Sequence, residues 1–356
     1  MTVWIRIDGD AATVSDVAEP RRGATFATAI VEAHGALLTW DVTAGMRFPD
    51  AEIHSPIEAE GWLADVYGDG VAEAVRAGKQ AELALPADAE LVDAARALAL
   101  LTWAHAWWPA GVYTPAVDPA IIAAEIAVAA HALEHVLDDP DAVERALTGA
   151  IDAPSALASA PASLRVEAGA LADAIADLAD DHGVELQPAT LDARPEDWAL
   201  AASGPNMPSH EGTEVGHGSS PVRWADVPAQ TVAADSDAQW SLRSVGGAAH
   251  LHLTVAAASG ASRDSTLRAR FGPEDLDIDV PLALTGAAFT GSAEVAASVA
   301  LLPLDDRTLW VRDPLVAAVP GPAESETDRD LVREFAVARL DDPSASLAER
   351  IAGARV

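Results

Sequence analysis

The chain has 356 residues, half of them apolar and dominated by Ala, Val and Leu, which suffices for two ordinary domains each with a core of its own. Against 22 Lys and Arg stand 56 Asp and Glu, a formal charge of −34 that disfavours phosphate backbones and anionic membrane surfaces as partners. There is no cysteine, which excludes disulfides, thiolate catalysis, iron–sulfur clusters and cysteine-based zinc sites.

Lys79 is the only lysine, and the acidic residues are spread along the whole chain. A bias so evenly distributed reports on genome composition or salt adaptation before it reports on a site. No basic stretch followed by a long apolar one opens the chain, and the most apolar run, Ala97 to Trp108, falls short of the roughly 20 residues of a membrane span. The expectation is a cytoplasmic protein that neither enters a membrane nor binds nucleic acid.

In chain order, residues 1–50 have the alternation of small β structure. Val3, Ile5 and Ile7 share one face, Asp8-Gly9 supplies a hairpin turn, and Ala36 to Val42 continues the meander, with Trp4 and Trp40 as packing residues. From Ile57 to Lys79 the spacing is helical, but Gly61, Gly68 and Gly70 predict a broken helix or two short ones. Two stronger helices follow, Asp88 to Trp108 and Pro119 to Leu137, the second opened by Asp118 as N-cap and Pro119 in its first turn. Ile122, Ile126, Ala129, Leu133 and Val136 form its apolar stripe. A short helix to about Thr148, an Ala/Ser/Pro loop over 153–163, and an amphipathic helix from Leu164 to Asp181 closed by Gly183 complete the region.

Past Gln187 the composition turns to Gly, Ser, Pro and His without periodicity, which predicts a linker over 188–221. The remainder has the alternation of antiparallel strands: a hairpin around Gly246-Gly247, a long strand from Leu276 to Leu284 placed at an edge by Pro281, then Ala288 to Val295 and Thr308 to Arg312. Helical spacing returns from Ser325, with a second short helix from Leu347 to Ala354. The expected fold is therefore α+β. Residues 1–187 would form a small N-terminal β unit with a helical region, and residues 222–356 a β-sandwich-like domain with a helical tail.

Chemistry has one sharp candidate. In His131-Ala-Leu-Glu134-His135 two histidines four residues apart share one face of a helix, as a metal requires, with a glutamate between them. These five residues resemble the metal motif of the inverted-zincin peptidases, and the resemblance extends no further along the chain. It implies His131 and His135 as zinc ligands, Glu134 as the general base and a distant glutamate as third ligand; Glu211, Glu214, His210 and His217 are the loop residues within reach. A weaker metal candidate is that loop itself, and His250 with His252 is another pair on one strand face. No nucleophile elbow, phosphate loop, dinucleotide fingerprint or EF-hand loop is present. Trp103, Trp107 and Trp108 at the end of the first long helix could instead line a groove for a partner.

The reading favoured by these features is a non-catalytic, acidic interaction protein that takes a protein or peptide partner and needs no cofactor. The alternatives are a zinc-dependent hydrolase built on His131, Glu134 and His135, and an acidic mimic of nucleic acid.

Overall fold

The computed structural model describes residues 2–9, 11–17, 24–85, 90–189, 212–262, 264–273, 276, 278–317 and 324–354. The fold is α+β with antiparallel sheets. Contacts divide the chain into two units, one of Met1–Ala106, Val117–Leu191 and Thr327–Val356, the other of Trp107–Ala116 and Asp192–Glu326.

In the first unit, β1 (Thr2–Asp8), β2 (Ala11–Ser15), β3 (Thr28–Ala33), β4 (Ala36–Asp41), β5 (Asp50–Ile53) and β6 (Ala81–Ala84) form one sheet in the order β3-β4-β5-β2-β1-β6. Asp8 pairs with Ala11, and Gly9 turns the hairpin with φ of 62°. Val3, Ile5, Leu38 and Trp40 are buried as the alternation predicts, but Trp4, expected to pack, is 39% exposed because it alternates with Val3 and Ile5 onto the wet face of β1. Helices α1 (Pro56–Tyr67) and α2 (Asp69–Arg76) are broken from each other at Gly68, whose φ of 87° suits glycine. Trp62 of α1 is fully buried and donates its indole N–H to the carbonyl of His34, 2.9 Å away.

Helices α3 (Glu90–Trp107) and α4 (Pro119–Ala132) are the two long apolar helices. Asp118 caps α4, its Oδ1 accepting the N–H groups of Ala120 and Ile121 at 3.0 and 3.4 Å. α4 stops at Ala132, five residues short of the end that periodicity predicts, because a sheet edge takes the chain. β3 has unpaired backbone groups, and His34 N–H donates to the Val136 carbonyl at 2.8 Å while Asp138 N–H donates to that of Glu32 at 3.2 Å. Ala33 and Leu137 pair as an isolated antiparallel bridge. Leu133 and Val136 remain buried, so their apolar character is used, though not by a helix.

Helices α5 (Ala142–Gly149), α6 (Ala153–Ala158) and α7 (Arg165–His182) follow. α6 occupies part of the stretch expected to be a loop, with Pro154 in its first turn, where a missing N–H costs nothing. α7 ends at Gly183 in the left-handed conformation, φ of 67°.

The terminal helices α8 (Glu326–Leu340) and α9 (Leu347–Gly353), grouped with the β region on sequence order, belong by contact to this helical unit. Polar residues hold them there. Ser346 and Glu349 form a reciprocal capping box on α9, and the buried Glu349 receives a two-pronged pair from Arg339, at 2.9 and 2.6 Å. Glu125 of α4 accepts the first N–H groups of α9, from Leu347 at 2.6 Å and Ala348 at 3.0 Å.

In the second unit, the strands are β7 (Thr213–Ser220), β8 (Ala238–Val245), β9 (Ala248–Ala256), β10 (Arg268–Phe271), β11 (Asp279–Pro281), β12 (Ala283–Thr285), β13 (Ala288–Val295) and β14 (Leu309–Arg312). They make a five-stranded sheet, β12-β13-β9-β8-β7, and a three-stranded one, β11-β10-β14. Both sheets contribute to one core that includes Leu242, Leu251, Leu253, Phe271, Phe289 and Val311, which gives the sandwich-like architecture. Gly246 and Gly247, both with positive φ, turn the β8–β9 hairpin.

Two expectations are corrected here. The long strand from Leu276 to Leu284 is two short strands, β11 at the edge of one sheet and β12 at the edge of the other, with buried Leu282 between them. The last residues of the supposed linker, 213–220, form β7. Its glycines have a packing reason: a Cβ on Gly218 would lie 2.7 Å from the Trp240 ring, so the indole covers the space that glycine leaves open. Gly218→Val should lower stability by about 1–3 kcal/mol through overpacking, read as a drop in urea midpoint at unchanged slope.

Glu125 yields a second prediction. Burial pushes its carboxyl from 4.5 up to about 7, outweighing the two N–H donors that favour its charged form. The folded state therefore holds a proton that the unfolded chain has released between about pH 4.5 and 7, and stability falls as pH rises through that window. Glu125→Gln keeps an acceptor oxygen but cannot ionise. Relative to this variant, the wild type should lose about 2–3 kcal/mol between pH 5 and 7.5 in paired urea titrations.

Candidate functional site

The early end of α4 decides the fate of the H-x-x-E-H pattern. His131 lies in the last helical turn, but His135 falls in the turns that carry the chain to the sheet edge, so the two imidazoles do not share a helical face one turn apart. Glu134 instead folds back on His131, its Oε1 lying 3.0 Å from Nδ1, with both side chains about half exposed.

A different histidine joins them. His182, the last residue of α7, brings a ring nitrogen near His131 and Glu134 such that the three ligand-type atoms all lie within 4.8 Å of one another. Among the described residues this is the one group of three His or acidic side chains so gathered. His135 is not part of it. The sequence offered no route to His182, which lies 47 positions beyond His135 at the far end of another helix.

The remaining candidates are accounted for differently. Glu214 and His217 are both on β7, with Nδ1 of His217 at 2.9 Å from Glu214 Oε1 and Arg243 at 3.6 Å from its other oxygen. His210 and Glu211 lie outside the described residues. His250 and His252 are half-buried on β9, flanked across the sheet by Arg243 and Glu294 and by Ser241 and Ser292.

Trp103 and Trp108 are interior residues, not walls of an open groove. They are 2% and 1% exposed. Trp103 donates to the Phe26 carbonyl at 2.8 Å and packs edge-on against Phe335, ring centroids 5.4 Å apart. Trp108 donates to the Pro115 carbonyl at 2.9 Å. Trp107 is half-buried. No family model matches the sequence, and neither a curated protein nor a solved structure matches the chain.

Trp108 anchors a loop. Residues 107–116, which join α3 to α4 in sequence, belong by contact to the second unit. Beyond the Trp108 indole, the loop is held by Ala234 N–H on the Ala110 carbonyl at 2.9 Å and by Gly111 N–H on that of Thr114 at 2.8 Å. Val112 N–H donates to Asp235 Oδ2 at 2.8 Å, and Ala116 N–H to Ser259 Oγ at 3.3 Å. A Cβ on Gly111 would sit 2.8 Å from the Asp235 carboxylate, so only glycine admits that grip. At the tip, Val112 and Tyr113 are 78% and 79% exposed. Ala110 and Thr114 on either side of the tip are buried.

Trp103→Ala should cost about 3–5 kcal/mol of folding stability, as expected of a core aromatic. A groove residue would lose binding and leave the unfolding midpoint unchanged, so chemical denaturation separates the two roles.

Proposed function

We propose that the chain is a non-catalytic, acidic, cytoplasmic interaction protein that presents the 107–116 loop to a protein partner. The observation that carries this reading is the pairing of a fixed backbone with an exposed apolar tip. Single exposed aliphatic residues such as Ile57 and Leu315 are ordinary surface. Val112 and Tyr113 differ because five hydrogen bonds already hold the loop that displays them. A loop ordered before binding loses little entropy on association, and tyrosine supplies large contact area with few rotatable bonds.

The partner's chemistry follows from the same surface. It should offer an apolar cleft for Tyr113, rimmed by lysine or arginine, because the chain carries 34 net negative charges. On this reading recognition falls to the loop tip, since Trp103 and Trp108 are buried.

The test is cross-linking and co-purification from the native host with wild type and with Val112→Asp/Tyr113→Ala. Both positions are exposed, so the variant should keep its unfolding midpoint within about 0.5 kcal/mol. One stoichiometric partner recovered by the wild type should be lost, or bound at least tenfold more weakly, by the variant. A partner held equally well by both would remove the loop from the interaction.

A further inference from the structure

We propose that His131, Glu134 and His182 form a surface site for one divalent transition-metal ion of the zinc class. Three features of the first unit support it independently of the loop. The donor set is two imidazoles and a carboxylate, which suits Zn²⁺, Co²⁺, Ni²⁺ or Cu²⁺ and is poor in oxygen for Ca²⁺ or Mg²⁺. The spacing is close to what a metal needs. Zinc–ligand bonds of about 2.0–2.2 Å put tetrahedral ligand atoms about 3.3 Å apart, and His131 Nδ1 and Glu134 Oε1 are already at 3.0 Å. One ligand-type atom from each of the three side chains lies within 4.8 Å of the other two, so the separations need to close by about 1.5 Å at most, within reach of rotamer changes in side chains that are not buried.

The third feature is electrostatic. α4 ends one residue beyond His131 and α7 ends at His182, so both helices direct their C-terminal ends toward the cluster. Unpaired terminal carbonyls give a helix C-terminus a partial negative charge, which favours a cation there. The hydrogen bond between His131 and Glu134 marks where the ion enters: the metal takes the place between Nδ1 and Oε1, bound by the neutral imidazole that carries its N–H on Nε2. Three protein ligands leave a further coordination position for water.

The site differs from the H-x-x-E-H reading in two testable respects: His182 is a ligand and His135 is not. Untagged full-length protein should be stripped with chelator and titrated with Zn²⁺ by calorimetry. We expect one ion per chain, with affinity reduced at least about tenfold by His131→Ala or His182→Ala and unchanged by His135→Ala. Unchanged circular dichroism would exclude misfolding as the cause. As a readout that needs no variant, Zn²⁺ should shift the imidazole ¹⁵N signals of two histidines, those assigned to His131 and His182. Loss of binding in His135→Ala with His182→Ala unaffected would overturn the proposal, as would the absence of saturable binding below about 100 µM or shifts confined to other histidines.

Discussion

The unpaired edge of β3 governs more of the first unit than any other feature. A strand at the end of a sheet exposes donors and acceptors that must find partners. Here they are met by the chain at 136–138, through His34 N–H, Asp138 N–H and the Ala33–Leu137 bridge. A hydrogen bond between His34 Nδ1 and Asp138 Oδ1, 3.1 Å apart, fastens the same contact. To deliver residue 137 to that edge, α4 must end at Ala132 and the next residues must turn. That turn separates His135 from His131 and folds Glu134 back toward the helix end, so the geometry of the histidine cluster follows from the blunting of a sheet edge.

A second constraint runs through both units: the chain has far more carboxylates than cations to neutralise them. Arginine pairs account for part of the excess, Arg339 with Glu349 and Arg268 with Asp279 among them. Many acids turn instead to backbone N–H groups. Asp118 caps α4, Glu125 caps α9 from another helix, Asp235 holds Val112, and Asp313 accepts the N–H of Leu315. A backbone N–H satisfies a carboxylate without a counter-charge and fixes the chain at that point. An acid-rich composition thus becomes a set of anchors for loops and helix ends. The cost appears at Glu125, where burial exceeds what two donors return.

Much of the fold was legible because periodicity reflects burial. The alternation in β9 and β13, the glycine turn between β8 and β9, the break at Gly68 and the Asp118–Pro119 start of α4 all appear where local pattern and cap chemistry agree. The failures share one cause, a tertiary partner that local pattern cannot register. The edge of β3 shortened α4 against its own helical stripe. Backbone pairing with β8 makes a strand of a glycine-rich stretch that composition assigned to a linker, and Trp240 covers its Gly218. A corner between two sheets cut one apparent strand at Leu282. The terminal helices followed Glu125 and the Arg339–Glu349 pair to the helical unit, although sequence order placed them beside the β domain.

The candidate sites obey the same logic in reverse. His131 and Glu134 stand three residues apart and were visible, whereas His182 comes from a helix whose end is placed only by packing. The tryptophans were conspicuous by residue type, yet large aromatics near the end of an all-apolar helix are what a core consumes first. Tyr113 was inconspicuous because nothing in its neighbours' polarity reveals that Trp108, Gly111 and Asp235 hold its loop in place. Composition is therefore a weak guide to contact in this chain: the most apolar positions are spent on folding. The surface chemistry lies with residues whose backbone is held elsewhere and whose side chains are left exposed. A negative field over that surface acts on both proposals in one direction, since it draws basic partners to the loop and cations to the paired helix ends, and added salt weakens both.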